Sequence, residues 1–349
     1  MSAANAFAKD AVLGTVVILN HNAGEMTCHT LKALRRQTIA EQLHVIVVDN
    51  GSTDNSVDLL AGRYPDLHLI RNPENLGFAG GNNSAFPYCR GPYVLLLNND
   101  AIPEPKWAEE LLRAARSHPG AGMCTSRIYV GNERTRFDNT GHMIFVDGMS
   151  RSRGHMEADR GQYDREEEVL FASGCAALYL REPLLQVGGF DEDFFAYGDD
   201  TDLGLKFRLL GYRCWYVPSA IVFHQQSQTL GKNSLKKIFL IERNRIWVLI
   251  KYLPLLWILK SPIYTGLRLL LSGKAASRGE GLAGELGQAH SLPKIGLTIL
   301  SAWLQALLKL PAMLGKRKAL RRLRVLDDNA WEKLLASYRA SLDDMSFRR

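Results

Sequence analysis

Short, almost wholly apolar runs alternate with longer amphipathic stretches through the first hundred residues, and this rhythm constrains the fold more than any other feature. The runs "AVLGTVVIL", "HVIVVD", "LHLIRN" and "YVLLLNND" read as strands, and "MTCHTLKALRRQ" and "NSVDLLAGRY" read as helices between them. Strands that are apolar throughout, instead of alternating with polar residues, belong to parallel sheets covered on both faces. The intervening helices supply the crossovers, so a doubly wound α/β unit is expected. In such sheets ligands bind beyond the carboxyl ends of the strands. That rule singles out Asn20-His21-Asn22, Asp49-Asn50-Gly51-Ser52 and Asn98-Asn99-Asp100.

The remainder of the chain is less uniform. Between Met123 and Leu180 the pattern loosens, with short strands expected near Ile144 and Ala176 and a mobile surface loop over "RSRGHMEADRGQYDREEE". From Ser234 onward the sequence turns to long helical patterns rich in Leu, Ile and Trp. A length of 349 residues with 46% hydrophobic and 23% charged residues suits one large or two small domains and excludes a disordered chain. Five cysteines without a C-x-x-C pair suggest neither a disulfide framework nor a zinc knuckle, which favours a reducing compartment. The start, "MSAANAFAKDAVLG", lacks a basic region followed by an apolar one, so no secretion signal is expected.

The net charge of +7 is concentrated late, where "LLKLPAMLGKRKALRRLRVL" interleaves Lys309, Lys316, Arg317, Lys318, Arg321, Arg322 and Arg324 with leucines. That mixture fits an anionic membrane surface better than nucleic acid, which asks for stacking aromatics. The segment "IWVLIKYLPLLWILKSPIYTGLRLLLSG" is broken by Lys251, Pro254 and Lys260, and Ile295 to Leu308 is short for a span of about 20 residues. Helices lying in the interface are expected, with Trp247, Trp257 and Trp303 at headgroup depth. An ordinary core or dimer helix pair is the alternative.

Several residues carry chemistry by type and place. Asp49 fits a ribose-binding acid of a dinucleotide site, but the first strand leads into "NHNAGE" instead of G-x-G-x-x-G. "NLGFAGGNN" lacks the P-loop lysine and reads as a tight turn. A hard divalent cation is the other way to neutralise phosphates, and it needs one or two carboxylates. Asp100 stands at a strand end where such a group belongs, or else caps a helix starting near Pro105. Within "YGDDTDLGLKF", Asp199, Asp200 and Asp202 either complement a helix dipole or serve in chemistry.

The succession "VVILNHN", "VVDNGSTDNS", "NPENLGFAGGNN", "LLLNNDAIPEP", "SGCAALYLRE" and "GGFDEDFFAYGDDTDLGLKF…AIVFH" closely resembles the family 2 glycosyltransferases, and within them a rhamnosyltransferase-like branch. The resemblance covers roughly residues 12 to 250. It implies the inverting GT-A fold, α/β with a mostly parallel sheet, here followed by an α-helical extension. The expected division is a catalytic domain over 1–232, with a donor half near 10–125 and an acceptor and base half near 126–232, then a membrane-associated helical region over 233–349. By the same resemblance Asn20, His21 and Asp49 hold the nucleotide, and Asn98-Asn99-Asp100 matches an Asp-x-Asp element with Asp100 as metal ligand. Asn98 and Asn99 depart from the acids of many members. His224 matches a histidine that completes the coordination of Mg²⁺ or Mn²⁺, and Asp200 a general base; Asp199 is expected to orient that base or to raise its pKa by like-charge proximity, and Asp202 to cap the helix. Asp191 and Asp193 are expected at the acceptor mouth, with Phe194, Phe195 and Tyr197 either stacking surfaces for a sugar or a plain hydrophobic anchor of the loop. The implied partners are a nucleotide-sugar, dTDP-rhamnose by branch, and a lipid-linked glycan acceptor, at the cytoplasmic face of the inner membrane and without nucleic acid. The competing readings are an NAD-dependent oxidoreductase on the same α/β half and a non-catalytic scaffold.

Overall fold

The computed structural model describes residues 11–226, 234–279 and 281–345. The N-terminal stretch 1–10 and the expected domain boundary at residues 232–233 lie outside the described residues. Strand β1 (Gly14–Asn20), helix α1 (Gly24–Leu34), β2 (Leu43–Asn50), α2 (Ser56–Arg63), β3 (His68–Asn72), α3 (Gly77–Asn83) and β4 (Tyr93–Leu97) form the expected alternation. Then come β5 (Ala101–Pro103), α4 (Trp107–Ser117), β6 (Ala121–Val130), β7 (Phe137–Asn139), β8 (His142–Ile144), β9 (Ser150–Ser152), β10 (Glu167–Val169) and β11 (Ala176–Leu180). After α5 (Arg181–Gln186), α6 (Asp199–Leu209) and β12 (Arg213–His224) the chain is helical. Those helices are α7 (Leu235–Tyr252), α8 (Leu255–Ser277), α9 (Gly281–Ala289), α10 (Leu292–Leu308), α11 (Leu310–Arg321), α12 (Asp328–Ser337) and α13 (Leu342–Met345).

The main sheet runs β10-β12-β6-β11-β4-β1-β2-β3, with β5 added to β12 and β7 to β6. Its β3-β2-β1-β4 half and the β6-β12 pair are parallel, while β11 runs antiparallel between β4 and β6. Successive side chains of a strand face opposite sides, so Val17 and Val16 enter different cores. Val16, Ile18 and Leu95 pack with Leu31, Leu60 and Trp107 of α1, α2 and α4. Val17, Val48 and Leu96 share the other cluster with Ala79 of α3, Leu203 and Phe207 of α6, and Trp247 of α7. Helix α7 therefore closes the core of the sheet.

Four sequence-based expectations change. The glycine-rich "NLGFAGGNN" is mostly the helix α3, because glycine lets that helix lie directly on the strands: a Cβ on Gly81 would stand 2.5 Å from Leu19 Cδ1. Strand β6 was hidden by its polar residues, which are buried and partnered. Ser126 accepts from Trp107 Nε1 at 2.8 Å, and Arg127 donates to Tyr216 Oη at 3.0 Å and to Asp164 at 2.5 Å. The polar stretch after β9 folds against the sheet, with Arg153 over the rings of Tyr163 and Tyr216. Finally, the tryptophans pack against the protein. Trp247 and Trp257 are buried, Trp247 donates to Ala306 O at 3.4 Å, and half-buried Trp303 donates to Glu242 at 3.2 Å. The exposed apolar residues of this region are aliphatic instead, chiefly on α8 and α10. Among the described residues no single helix is long and apolar enough to cross a membrane, although α10 and α11, bent by 59°, together meet that length and composition.

Candidate active site

Parallel pairing of β1 with β2 places Asn20 opposite Asp49 at the carboxyl ends of the two strands. Asn20 Nδ2 donates to Asp49 Oδ1 at 2.8 Å, and Asn20 Oδ1 accepts from Thr27 at 2.7 Å. Both residues are buried, and Ser52 N donates to the second Asp49 oxygen at 3.1 Å. Asn20 thus fixes the Asp49 carboxylate. Half-buried His21 approaches Asn50 O at 3.0 Å through Nδ1.

At the tip of β4, Asn98 N donates to Cys175 O at 2.8 Å, and Asn99 O accepts from Thr30 at 2.7 Å. The Asp100 carboxylate is buried, and it caps no helix, since α4 begins at Trp107 without a side-chain cap. Antiparallel pairing of β5 with the end of β12 aligns Ala101 with His224, which brings Asp100 Oδ1 to 3.3 Å from His224 Nε2. The other ring nitrogen of His224 lies 2.7 Å from Asp138 Oδ2. Burial opposes a charge on His224, yet Cys175, Asp100 and Asp138 together raise its pKa well above the ordinary imidazole value. Asp138 is held lower than a usual carboxylate: burial works against this, but His155 and His224 prevail.

The acidic cluster sits across the β11 approach. Gly198, with φ 79°, precedes α6 and gives it no side-chain cap. The three acids then separate by environment. Asp202 is fully buried, accepts from Tyr252 Oη at 2.7 Å, and is ion-paired with Lys206 at 3.1 Å and with Lys251. It anchors α6 to α7 and is not the expected cap. Asp199 is also buried, and burial followed by the Asp200 charge raises its pKa well above the carboxylate range. Asp200 alone among the three keeps appreciable exposure, 22% of its side chain. One of its oxygens accepts from Thr201 N at 2.7 Å, and the other lies 3.8 Å from His142 Nε2.

Asp100 and Asp200 meet through one short segment. A Cβ on Gly174 would lie 3.6 Å from Asp200 Cβ, and the next residue, Cys175, interacts with His224. The two acids therefore flank the entrance of β11. The acceptor-side residues fit less simply. Phe194 is fully buried and offers no stacking face, whereas Phe195 and Tyr197 remain half-exposed. Asp191 pairs with Lys251 at 2.7 Å and Lys316 at 2.5 Å, and Asp193 pairs with Lys316 at 2.7 Å.

Sequence reasoning missed Asp138, His142 and the pair Arg243-Asn244. Asp138 lies in irregular "RFDNTGHM", and nothing in that pattern marks it. His142 stacks on Phe171 with ring centroids 4.8 Å apart, and its deep burial lowers its pKa. Asn244 donates to the carbonyls of Phe194, Ala196 and Tyr197 at 2.9, 2.9 and 2.6 Å, so α7 clamps the turn that leads into Asp199 and Asp200. The polar "ERNR" inside an otherwise apolar helix was the available signal.

A divalent cation fits this donor set. Asp100 supplies a hard oxygen, and His224 is aligned by Asp138 as metal-bound histidines are by carboxylates. The remaining ligands of such a cation would come from phosphates and water.

Comparison with known proteins is consistent throughout. The N-acetylglucosaminyl-diphospho-decaprenol L-rhamnosyltransferase of Mycobacterium tuberculosis is 27% identical over 285 residues, covering 71% of this chain and 89% of that protein. O-antigen biosynthesis protein RfbC of Myxococcus xanthus is 27% identical over 210 residues, 56% of this chain but 16% of its own length. A crystal structure of GalNAc-T7 with UDP, GalNAc and Mn²⁺ superposes with a TM-score of 0.54 at 14% identity, over 70% of this chain and 49% of that one, and shares the GT-A fold. The sequence model of glycosyl transferase family 2 matches residues 15–188, from β1 through the entrance of β11 to the end of α5. With that match, the GT-A sheet and these relatives, the chain belongs to glycosyl transferase family 2 and is a glycosyltransferase.

Proposed function

We propose that this glycosyltransferase moves a sugar, rhamnose as the first choice, from a nucleotide diphosphate to a lipid-linked glycan acceptor, with inversion at the transferred carbon. The reading is carried by the approach of Asp200 to Gly174 and of the Asp100–His224 pair to the adjacent Cys175, which sets the two acids around one short segment. Asp49, held by Asn20, takes the ribose, His21 lies beside the base, and Asn98 and Asn99 shape the diphosphate pocket. Asp100 and His224, the latter once its Nε2 proton is lost, would hold a Mg²⁺ or Mn²⁺ ion, which would offset charge on the departing diphosphate. Asp200 accepts the acceptor hydroxyl's proton while that oxygen attacks from the face opposite the nucleotide, so no covalent intermediate is needed. Asp199, whose carboxyl is pushed well above the usual carboxylate range by burial and then by the Asp200 charge, orients this base. The choice of sugar and lipid carrier is supported by the mycobacterial relative, whose name specifies an L-rhamnosyl transfer to a diphospho-decaprenol acceptor.

Residues 1–232 form the catalytic unit in this reading. Residues 233–349 bring it to the cytoplasmic membrane face as a peripheral protein, supported by the exposed leucines of α8 and α10 and the basic α11. The test is calorimetric titration of UDP and dTDP, alone and as sugar conjugates, with and without Mn²⁺. Asp100→Ala is expected to abolish the Mn²⁺-dependent gain in affinity. Equal binding by Asp100→Ala and the unaltered protein would remove Asp100 from the metal site.

A further inference from the structure

A cavity of about 260 Å³ opens where α6, α7, α11 and α12 meet, among Leu209, Lys251, Arg317, Arg321, Arg324 and Trp331. Its walls are fixed by the end of α7. Trp331 donates to Tyr252 O at 2.8 Å, and Arg317 donates to Ile250 O at 2.6 Å and Leu253 O at 2.9 Å. Arg324 pairs with Asp328 at 2.6 Å, whereas Arg321 is exposed and enters no ion pair among the described residues. Burial lowers the pKa of Arg317, and the charges of Arg321 and Arg324 lower it further. Three guanidinium groups and the Lys251 ammonium therefore line a cavity to which Asp328 and Glu332 bring two carboxylates, leaving the cations in excess.

The mouth of this cavity is apolar. Leu255 and Leu256 line it while 68% and 50% exposed. From Leu256 the exposed residues Leu259, Ile263, Leu267 and Leu270 continue along one face of α8 at helical spacing. A cationic cavity that opens onto an apolar stripe matches an amphiphile with a phosphate head and hydrocarbon tails, and arginine binds phosphate oxygens in pairs.

We propose that this cavity binds the phosphate headgroup of an anionic membrane lipid, whose chains lie along the exposed leucine face of α8. The inference rests on the reading that these helices meet a membrane, but not on the identity of donor or acceptor. It is a different place from the transfer site: Leu209 lies nine residues along α6 from Asp200, roughly 14 Å at 1.5 Å per residue. A diphosphate attached directly to the reacting sugar does not reach that far. The site is nonetheless joined to the acceptor mouth. Lys251, on its wall, pairs with Asp191, and Lys316, next to Arg317, pairs with Asp191 and Asp193.

The experiment is co-sedimentation of the full chain with phosphatidylcholine vesicles, with and without phosphatidylglycerol. Arg321→Gln with Arg324→Gln is compared with a charge-matched pair on the same stretch, Lys318→Gln with Arg322→Gln, outside the cavity. Arg321→Gln alone provides a variant that breaks no ion pair, and thermal melts check folding. The control pair measures long-range attraction, about fivefold per charge close to the surface. The cavity pair is expected to lose about tenfold more affinity for phosphatidylglycerol vesicles than the control pair, as lost paired hydrogen bonds to phosphate require. Equal losses in the two pairs, or equal binding of the unaltered protein to both vesicle types, would overturn the proposal. Inorganic phosphate at matched ionic strength is the second arm. If it stabilises the unaltered protein but not the cavity pair, while vesicles show no headgroup preference, the site belongs to free phosphate and the lipid assignment fails. Absence of binding to any vesicle sinks this site together with the membrane reading, and retained sugar transfer to a soluble acceptor would then show that the transfer reading survives.

Discussion

Replacing Asn244 by alanine tests whether α7 controls the geometry of the acidic cluster. The turn it clamps is strained. Phe195 has φ 64° and ψ −63°, with Ala196 N donating back to Phe194 O at 2.8 Å, which is a γ-turn of the rare kind. After Ala196, Tyr197 also takes a positive φ of 66°, and Gly198, which adopts φ 79° without strain, leads into α6. Such backbone costs about 1–3 kcal/mol per residue and persists only when its surroundings impose it. Arg243 also holds Phe194 O, at 3.0 Å, so the bonds to the turn lost uniquely with Asn244 are those to Ala196 O and Tyr197 O; Arg243 Nε, which donates to Asn244 Oδ1 at 2.9 Å, loses that acceptor as well. At about 1 kcal/mol each the loss is about 2 kcal/mol, or roughly a 30-fold shift toward an open turn. Hydrogen exchange read by mass spectrometry over residues 194–200 is expected to accelerate by that factor. Turnover should fall, while nucleotide affinity holds because Asp49 and Asp100 are untouched. Unchanged exchange across this turn in Asn244→Ala, with the fold intact, refutes the clamp.

Asp200→Asn should reduce turnover by at least about a hundredfold and leave nucleotide binding nearly intact, as removal of a general base does; near-normal initial rates would reassign the base. Asp199 carries a folded-state pKa raised above its ordinary 3.8, first by burial and then by Asp200. Its contribution to stability is therefore full below about pH 4 and is lost as pH rises toward the raised value. Asp199→Asn should melt close to the unaltered protein near pH 4 and increasingly above it as pH rises, and a difference that stays constant with pH would contradict the assignment. Asp202→Asn leaves Lys206 and Lys251 short of a buried partner and should cost about 3 kcal/mol in urea unfolding. Adding Lys251→Met should recover part of that loss, and strictly additive losses would show that the pair is not coupled.

Much of the strand-tip cluster was legible in the sequence because it is local. A strand end announces itself by an apolar run followed by polar residues, so Asn20, Asp49 and Asp100 were found without knowing what faced them. The acidic cluster was equally visible, but its members looked alike in one dimension. Only burial separates them, with Asp202 neutralised by lysines, Asp199 enclosed and Asp200 open. The tryptophans were misread for a related reason: composition reports that an aromatic is present, not which face of its helix is covered. Trp247 fills the core beside Phe194 with ring centroids 5.6 Å apart, and aliphatic residues take the surface.

The sequence by itself determined the class of sheet and the residues at its strand tips, since apolar periodicity and chain polarity act over neighbouring residues. Tertiary structure alone decided that Asp138 would brace His224, that His142 would stand beside Asp200, and that Asn244 would hold the turn before it. Those contacts join residues far apart in the chain, and they form only when β5 pairs with β12 and α7 packs on the sheet. Their energies depend on burial and distance, which a one-dimensional pattern does not contain.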